Sequence, residues 1–419
     1  LKRLNPENLA RLGADRLAAI LIDAADLRPE LKRRLRLELA AEQGAPHLLL
    51  EVDKRLTTLA TGKAKVSWRQ RATFIAELDA LRGMIAQRLA ELDPTQAIGR
   101  LWAFMALGRS LSSRVKDKDG DMEAVFERAA SELGALLGKP SLERAGDEAH
   151  AAALVEAMLT FPAGWKTWLG LVLREAPAGL AAAALTRLQA SASVTSGRMV
   201  LIRQLADAAG DIDAFTDTFS AEALKTPSIA AEIARRLLTV GRVAEAGAAL
   251  EVAKPVKAKS FLGSGRTPEP DFEWESAWID YLDASGQADL AQETRWIAFE
   301  RTLSVARAKA FIKRLGDFDD VEAEGRAFAH AARHADFHKG LAFLMAWPAL
   351  PEAAKMIQAR ADDIERVDDD VEMWATRLRV RQPAAAHLLL RREAAVAFRR
   401  RDLALADRLT QEADSIEAG

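Results

Sequence analysis

Apolar residues recur along most of the chain at the three- and four-residue spacing of amphipathic helices. Asp93 followed by Pro94 predicts a helix start, because a capping side chain and a proline in the first turn both favour initiation. Before it, the spacing predicts a long helix that Ser67 caps and that turns Leu89 and Leu92 inward. The early part of the chain therefore indicates successive helices.

One early helix combines apolar and basic positions. Leu31, Leu35 and Leu39 mark one side, and the residues around them are Lys32, Arg33, Arg34 and Arg36. A basic run of this kind is usually the solvated face of a helix, and we interpret it so. Contact with phosphate or with an acidic partner is the alternative.

From residue 147 onward the predicted helices are short and paired. Gly210, Gly241 and Gly286 each end one apolar-periodic run and precede another, and weaker copies of this turn occur at residues 334–337 and 400–403. Such a glycine supplies the left-handed residue that ends a helix. Intervals of about 30–50 residues are typical of helical-hairpin repeats, which bury their apolar faces by stacking.

These patterns predict an all-α fold. We expect an N-terminal helical region over residues 1–140 that continues into an irregular α-solenoid of helical hairpins over residues 147–419. The clearest hairpins are predicted over residues 273–303 and 318–347. Residues 254–271 combine lysine, glycine, serine and proline, and we predict a mobile insertion there.

Composition narrows the function classes. A length of 419 residues allows one long core or two to three domains, and a net charge of −2 creates no general attraction to nucleic acid or anionic membrane. The absence of cysteine excludes disulfides, thiolate zinc sites and thiol nucleophiles. No apolar run is long enough for a membrane span, and residues 1–4 do not resemble a signal peptide. We expect a cytoplasmic protein without a membrane partner.

Two segments resemble ligand-binding loops without fitting them. Residues 134–141 have the glycines and lysine of a phosphate-binding loop, but they end a helix instead of opening one. Asp117 begins an acidic run like a calcium loop, but Met122 replaces the required glycine and Arg128 the bidentate glutamate. We predict that Asp121 caps the following helix, and we expect no cofactor.

Three histidines, His330, His334 and His338, are spaced four residues apart. On one continuous helix this spacing allows two imidazoles to share a metal ion. However, residues 334–337 align with an inter-helix turn, which places His338 on the next helix with Asp336 as its cap. We therefore favour ordinary residues beside a turn, with a metal site as the alternative.

Charged residues cluster in the C-terminal part. The candidate partner-binding residues are Asp317, Asp319, Asp320, Asp368, Asp369, Asp370, Arg391, Arg392, Arg399 and Arg400. Opposite charges on successive helices either pair across the stack or line a groove that selects a charged peptide. Pairing is favoured, because acids are stabilised at helix starts and bases at helix ends.

Aromatic spacing and motif content favour a structural role for most of the chain. Trp165 with Trp168, and Trp274 with Trp278, share single helix faces and are predicted to be core. No GxSxG elbow, dinucleotide fingerprint or serine–histidine–aspartate order is present in the sequence.

Several segments resemble an uncharacterised bacterial helical family, a domain of unknown function. They are residues 31–37, 292–300, 315–320, 347–348 and 383–390, and the resemblance covers most of the chain. That family is similar in its helices to tetratricopeptide-like proteins and to regions accompanying SWIM-type zinc fingers. The resemblance implies tetratricopeptide-like hairpins and no catalytic residue, and a chain without cysteine cannot carry the finger.

The leading hypothesis is a non-enzymatic scaffold that binds a protein or peptide on a concave helical surface. A second is a nucleic-acid-associated factor that uses Arg33, Arg34 and residues 399–401, although we do not expect nucleic acid as the main partner. The third is a metal-dependent enzyme at the three histidines.

Overall fold

The computed structural model describes residues 5–139, 147–190, 196–254, 270–316 and 318–417. These ranges are predominantly helical and contain no strand, so the predicted all-α fold class is confirmed. The chain divides into two compact units, residues 1–223 and residues 224–419. Residues 140–146, at the predicted domain boundary, and residues 255–269, in the predicted insertion, lie outside the described ranges.

The first unit consists of helices that pack mainly against near neighbours in the chain. They are α1 (Pro6–Ala10), α2 (Ala14–Leu27), α3 (Pro29–Glu42), α4 (Ala45–Thr61), α5 (Arg71–Gly83), α6 (Ala90–Leu92), α7 (Pro94–Arg114), α8 (Asp121–Leu137), α9 (Asp147–Thr160), α10 (Pro162–Leu173), α11 (Ala178–Ala190), α12 (Ser196–Ala209) and α13 (Ile212–Thr216). A π-helical turn, Met84–Leu89, joins α5 to α6.

The second unit is built in the same way. Its helices are α14 (Pro227–Thr239), α15 (Val243–Val252), α16 (Phe272–Ala284), α17 (Ala288–Thr302), α18 (Val305–Ile312), α19 (Asp319–Arg333), α20 (Phe337–Ala346), α21 (Leu350–Arg360), α22 (Val371–Leu378), α23 (Pro383–Arg399) and α24 (Leu403–Glu417). Within the described ranges, no helix has the length and apolar character that crossing a membrane requires.

Local signals predict helix starts with mixed success. Asp93 caps α7 as predicted, since its carboxylate accepts a hydrogen bond of 3.0 Å from the Gln96 amide. The Ser67 prediction is wrong, because the Ser67 hydroxyl donates to the Gln70 side chain and α5 begins at Arg71. The π-helical turn shifts the residues after it, so Leu92 is 46% exposed instead of inward.

The glycine turns of the hairpins are confirmed. Gly210, Gly241 and Gly286 have φ angles of 69°, 77° and 80°. In each turn, the residue after the glycine donates its backbone N–H to the carbonyl of the residue five positions earlier. These bonds are Asp211 to Ala206, Arg242 to Leu237, and Gln287 to Leu282, each 2.9 Å. This arrangement closes the first helix and starts the second.

Arg401 occupies the same position in the turn between α23 and α24. Its φ is 64°, and the Asp402 amide donates to the Ala397 carbonyl at 3.1 Å. A left-handed residue with a Cβ costs about 1 kcal/mol relative to glycine. We expect Arg401→Gly to raise the free energy of unfolding by about 0.5–1 kcal/mol, measured by urea denaturation. Gly286→Ala is the control and should lower the free energy of unfolding. An unchanged or lower urea midpoint for Arg401→Gly would contradict a left-handed conformation at Arg401.

Aromatic residues form the core of the first unit where α7, α8 and α10 meet. Trp165 and Trp168 are 2% and 1% exposed, as predicted. The Trp168 ring stacks on Phe126 at 5.1 Å between centroids. It lies so close to Gly108 that a Cβ there would be 2.4 Å from the ring, so α7 needs glycine at this contact.

The core of the second unit joins α17, α20 and α22–α24. Phe299, Leu341, Phe343 and Leu389 are buried there. Trp274 of α16 is buried as predicted. The sequence interpretation did not identify α18, although Ser304 caps it.

Candidate functional site

A cleft of about 550 Å³ lies in the first unit between α3, α4 and α5. Its lining residues are Arg28, Glu30, Leu31, Arg33, Arg34, Arg36, Leu37, Glu51, Lys54, Arg55, Thr58, Thr73, Ala76, Glu77, Ala80 and Leu81. Pockets of about 300–1,000 Å³ are typical of ligand sites. We call this feature the basic cleft.

The face that α3 buries explains how Arg33 enters the basic cleft. Leu37, Ala40 and Ala41 are the buried residues of this helix. Arg33 precedes them by four, seven and eight positions, which places it on the same face. Leu39, which the sequence places on one side of this helix with Leu31 and Leu35, is 64% exposed. The basic run is therefore partly turned toward α4 and α5.

Glu77 of α5 bridges two arginines in the basic cleft. Its Oε1 accepts from Arg33 of α3 and its Oε2 accepts from Arg55 of α4, each at 2.6 Å. The Glu77 side chain is only 16% exposed. Burial lowers the pKa of Arg55, and the Arg33 charge lowers it further, while Glu77 acts in the opposite direction. One carboxylate thus holds three helices and two guanidinium groups in fixed positions.

The remaining cations of the basic cleft are mostly unpaired. Lys54 pairs with Glu51 at 2.8 Å. The side chains of Arg28, Arg34 and Arg36 form no hydrogen bond or ion pair with any described residue. The lining residues include six cations and three carboxylates, a difference of three positive charges. This arrangement attracts and orients an anion.

Small side chains keep the basic cleft open. Ala76, Ala80 and Thr73 of α5 form one wall, and Thr58 of α4 adds a hydroxyl whose proton is donated to the Lys54 carbonyl at 2.7 Å. The lining residues, all in the described part of the chain, include no aromatic side chain and no histidine. Their chemistry is suited to binding by charge.

The acidic candidates near α19 lie in its first turn. Asp319 is exposed and Asp320 is partly exposed, and the Asp320 carboxylate accepts from the Val321 amide at 2.7 Å. Asp317 lies outside the described residues. As acids at a helix start, Asp319 and Asp320 also stabilise α19.

Most of the other C-terminal candidates contact residues of the second unit. The contacts involving them are Asp368 amide to Glu393 at 2.9 Å, Arg391 to Asp414 at 2.6 Å, Arg392 to Asp362 at 2.8 Å and Arg400 to the Glu365 carbonyl at 3.1 Å. Asp369, Asp370 and Arg399 are exposed. Arg391 and Arg392 form ion pairs with acidic residues, as expected if charges pair across the stack, whereas the Asp368 and Arg400 contacts each involve a backbone group. A peptide groove at these residues stays a prediction.

The three histidines have separate partners. His330 contacts the Glu300 carbonyl, His334 contacts the Asp336 backbone, and His338 contacts Glu393. As predicted, His338 lies on α20, which Asp336 caps with a bond of 3.1 Å from the Lys339 amide. Within the described ranges, no group of three or more histidine, aspartate or glutamate side chains is arranged to hold a metal ion.

The sequence interpretation missed the buried pair His338–Glu393. The His338 Nε2 lies 3.0 Å from the Glu393 Oε1, and the side chains are 3% and 0% exposed. Burial raises the pKa of Glu393 above its ordinary value. The sequence signal that could have revealed it is helical spacing. Glu393 follows the buried Leu389 by four positions on α23, which places both residues on the same helix face.

The acidic run before α8 forms a helix cap through a different residue from the one predicted. The Asp117 carboxylate accepts from the Met122 and Glu123 amides at 3.1 Å and 3.0 Å. Gly120, not Asp121, immediately precedes the helix. The prediction of a cap was right, and its assignment to Asp121 was wrong.

Comparison with known proteins provides a family and no function. A family model described as "Family of unknown function (DUF6880)" matches residues 1–163 and 172–403. No curated protein matches the chain. No solved structure matches it either.

Proposed function

This chain belongs to the family of unknown function DUF6880, and we propose its function from the geometry of its basic cleft. The protein is a non-enzymatic interaction scaffold, and the basic cleft binds an acidic segment of a partner protein. This proposal keeps the interaction role expected from the sequence and gives it a specific surface between α3, α4 and α5.

The observation that carries the proposal is the set of unpaired arginines in a cleft of ligand size. Arg28, Arg34 and Arg36 line it without a side-chain partner among the described residues. Arginine offers planar pairs of N–H donors that match carboxylates. Because Glu77 holds Arg33 and Arg55, these two guanidinium groups are ordered before an anion arrives, which lowers the entropy cost of binding to them.

A peptide fits these residues better than a nucleic acid does. Single-stranded nucleic acids are bound by stacking bases on aromatic side chains along a basic track. The lining residues of the basic cleft include no aromatic side chain, and the whole chain carries a net charge of −2. Small apolar walls beside the arginines suit a segment that alternates acidic and aliphatic residues.

The C-terminal candidates stay a separate predicted contact surface. Asp319, Asp369, Asp370 and Arg399 are exposed and remain accessible to a partner. Asp368, Arg391, Arg392 and Arg400 contact other groups of the second unit. A partner that used the side chains of Arg391, Arg392 or Arg400 would have to replace their contacts, whereas Asp368 contacts Glu393 through its backbone amide.

A direct binding measurement tests the proposal. The probe is a fluorescent peptide that alternates glutamate and leucine, and its glutamine counterpart shows the contribution of charge. We expect Arg34→Glu/Arg36→Glu to weaken acidic-peptide binding by at least about tenfold, or 1.4 kcal/mol, because both changed side chains line the cleft. Fluorescence anisotropy at several salt concentrations gives the affinities.

The matched control is Arg109→Glu/Arg174→Glu, which makes the same charge change at exposed positions of the same unit. It should leave peptide affinity within about twofold of the unchanged protein, because neither residue lines the basic cleft and solvent ions screen exposed charges outside it. Equal weakening by both variants would contradict a localised site. Binding of oligothymidylate in preference to the acidic peptide would favour the nucleic-acid hypothesis and overturn the proposal, as would no binding at all.

A further inference from the structure

We infer that the preferred ligand of the basic cleft is a phosphate monoester on a side chain of the partner protein. This inference rests on the proposed function and names its chemistry. The site is assembled from residues on three helices, α3, α4 and α5, which Glu77 ties together through Arg33 and Arg55.

Charge balance is the first argument. Within the cleft, Glu77 offsets one of the two arginines that it bridges, and Glu51 offsets Lys54. Arg28, Arg34 and Arg36 remain, with Glu30 as the other carboxylate of the lining. A single carboxylate supplies one negative charge, whereas a phosphate monoester carries about −1.5 to −2 at neutral pH. The larger charge matches the surplus of three positive charges better.

Donor geometry is the second argument. Five of the six cations that line the basic cleft are arginines. Three unpaired guanidinium groups offer more N–H donors than two carboxylate oxygens accept, whereas a phosphate monoester presents three strong acceptor oxygens. Clusters of arginine are a recurring means of recognising phosphorylated segments.

Available space is the third argument. Ala76 and Ala80 present only methyl groups to the cleft, and Thr58 and Thr73 are exposed beside them. A volume of about 550 Å³ holds a tetrahedral phosphate together with the residues on either side of it. The flanking residues would lie against Leu31 and the alanine wall. The ligand is therefore a phosphorylated polypeptide segment and not a free phosphate ion.

The test compares three peptides of identical sequence that carry serine, glutamate or phosphoserine at one central position. We expect the phosphoserine peptide to bind at least about tenfold more tightly than the glutamate peptide. In Arg34→Glu/Arg36→Glu this preference should disappear, while Arg109→Glu/Arg174→Glu should retain it. Thermal unfolding monitored by circular dichroism checks that each variant is folded.

A pH series separates the dianion from a general negative charge. The second pKa of a phosphate monoester is about 6, so acidification from about pH 7.5 to 5.5 removes much of its second charge. The advantage of the phosphoserine peptide should fall over this interval by about threefold or more. Affinity for the glutamate peptide should change much less, because its carboxylate stays ionised.

The remaining outcomes distinguish this inference from the proposed function. Equal affinity for glutamate and phosphoserine peptides would overturn the phosphate assignment and leave the acidic-segment scaffold intact. Competition by adenosine monophosphate or inorganic phosphate as strong as that by the phosphopeptide would also overturn it, because the peptide would then contribute nothing. Failure of both charged peptides to bind would overturn the proposed function itself.

Discussion

Replacing His338 by leucine destabilises the protein by about 3 kcal/mol near pH 8, and most of this loss disappears near pH 5. The change leaves the Glu393 carboxyl buried without the imidazole that lies 3.0 Å away. Breaking a buried pair costs more than the pair contributed, because one group then remains in a poorly solvating environment. The group responds by taking up a proton.

The sign of the pH dependence follows from Glu393. Burial raises its pKa above the ordinary value of 4.5, and His338 opposes that rise through a hydrogen bond and its charge. Without His338 the folded-state pKa of Glu393 rises further. The folded protein then binds this proton more tightly than the unfolded chain does. The stability that this bound proton contributes is fully present below the unfolded-state pKa of Glu393. It is lost as the pH rises through the folded-state pKa of Glu393.

The matched control is the double variant His338→Leu/Glu393→Gln, which replaces the carboxyl by an amide of similar shape. The introduced amide does not titrate, and its oxygen keeps the acceptor for the Asp368 amide. Urea unfolding should show the single variant less stable than the double variant near pH 8, with the gap closing on acidification. A gap that stays constant with pH would refute a buried, titrating Glu393.

The hairpin turns were predictable because their signal is local. Gly241 and Gly286 adopt left-handed conformations, and the five-residue span that each turn closes is contiguous in sequence. Arg401 shows where this signal ends. Its turn has the same hydrogen bond, but an arginine gives no indication of a positive φ. The sequence therefore suggested this turn only weakly.

The basic cleft was not predictable, because α3 carries two competing apolar faces. Leu31, Leu35 and Leu39 suggested one face, whereas the structure buries Leu37 with Ala40 and Ala41. Only packing against α4 and α5 decides between them. The decisive contacts are also distant in sequence, since Glu77 is 44 residues from Arg33 and 22 from Arg55. Periodicity alone contains no information about such pairs.

The same limit applied to the histidines and the acidic clusters. Spacing correctly separated His338 from the preceding helix, but its partner Glu393 is 55 residues away. Glu393 also accepts the Asp368 amide, so one predicted partner-binding residue contributes its backbone to a buried network. A charged residue that looks exposed in the sequence can therefore have a structural role that only the fold reveals.

Replacing Trp168 by alanine lowers the free energy of unfolding by about 3–5 kcal/mol, the range found for buried aromatic side chains. The ring is 1% exposed and contacts Phe126, Phe161 and Trp165 with centroid separations of 5.1–5.9 Å. Its removal leaves a cavity beside Gly108, where the backbone of α7 is close enough to exclude a Cβ. Neighbouring helices that pack this closely cannot fully collapse into the space.

Trp168 also satisfies a carboxyl group. Its Nε1 donates to Glu123 at 2.8 Å. Burial raises the pKa of Glu123, and this hydrogen bond opposes the rise. Trp168→Phe keeps most of the ring, so it should lower the free energy of unfolding by less than the alanine variant does. Because it removes the N–H donor to Glu123, the folded-state pKa of Glu123 should rise further, and the stability of this variant should improve on mild acidification.

The control for this prediction is the same substitution at an exposed tryptophan of the same unit. Trp68 is 80% exposed, and Trp68→Ala should change the free energy of unfolding by no more than about 0.5 kcal/mol. Urea unfolding followed by circular dichroism measures all three variants. A loss below about 1 kcal/mol for Trp168→Ala would mean that α7, α8 and α10 do not enclose the ring, because removing a buried aromatic side chain from a packed core causes a larger loss than that.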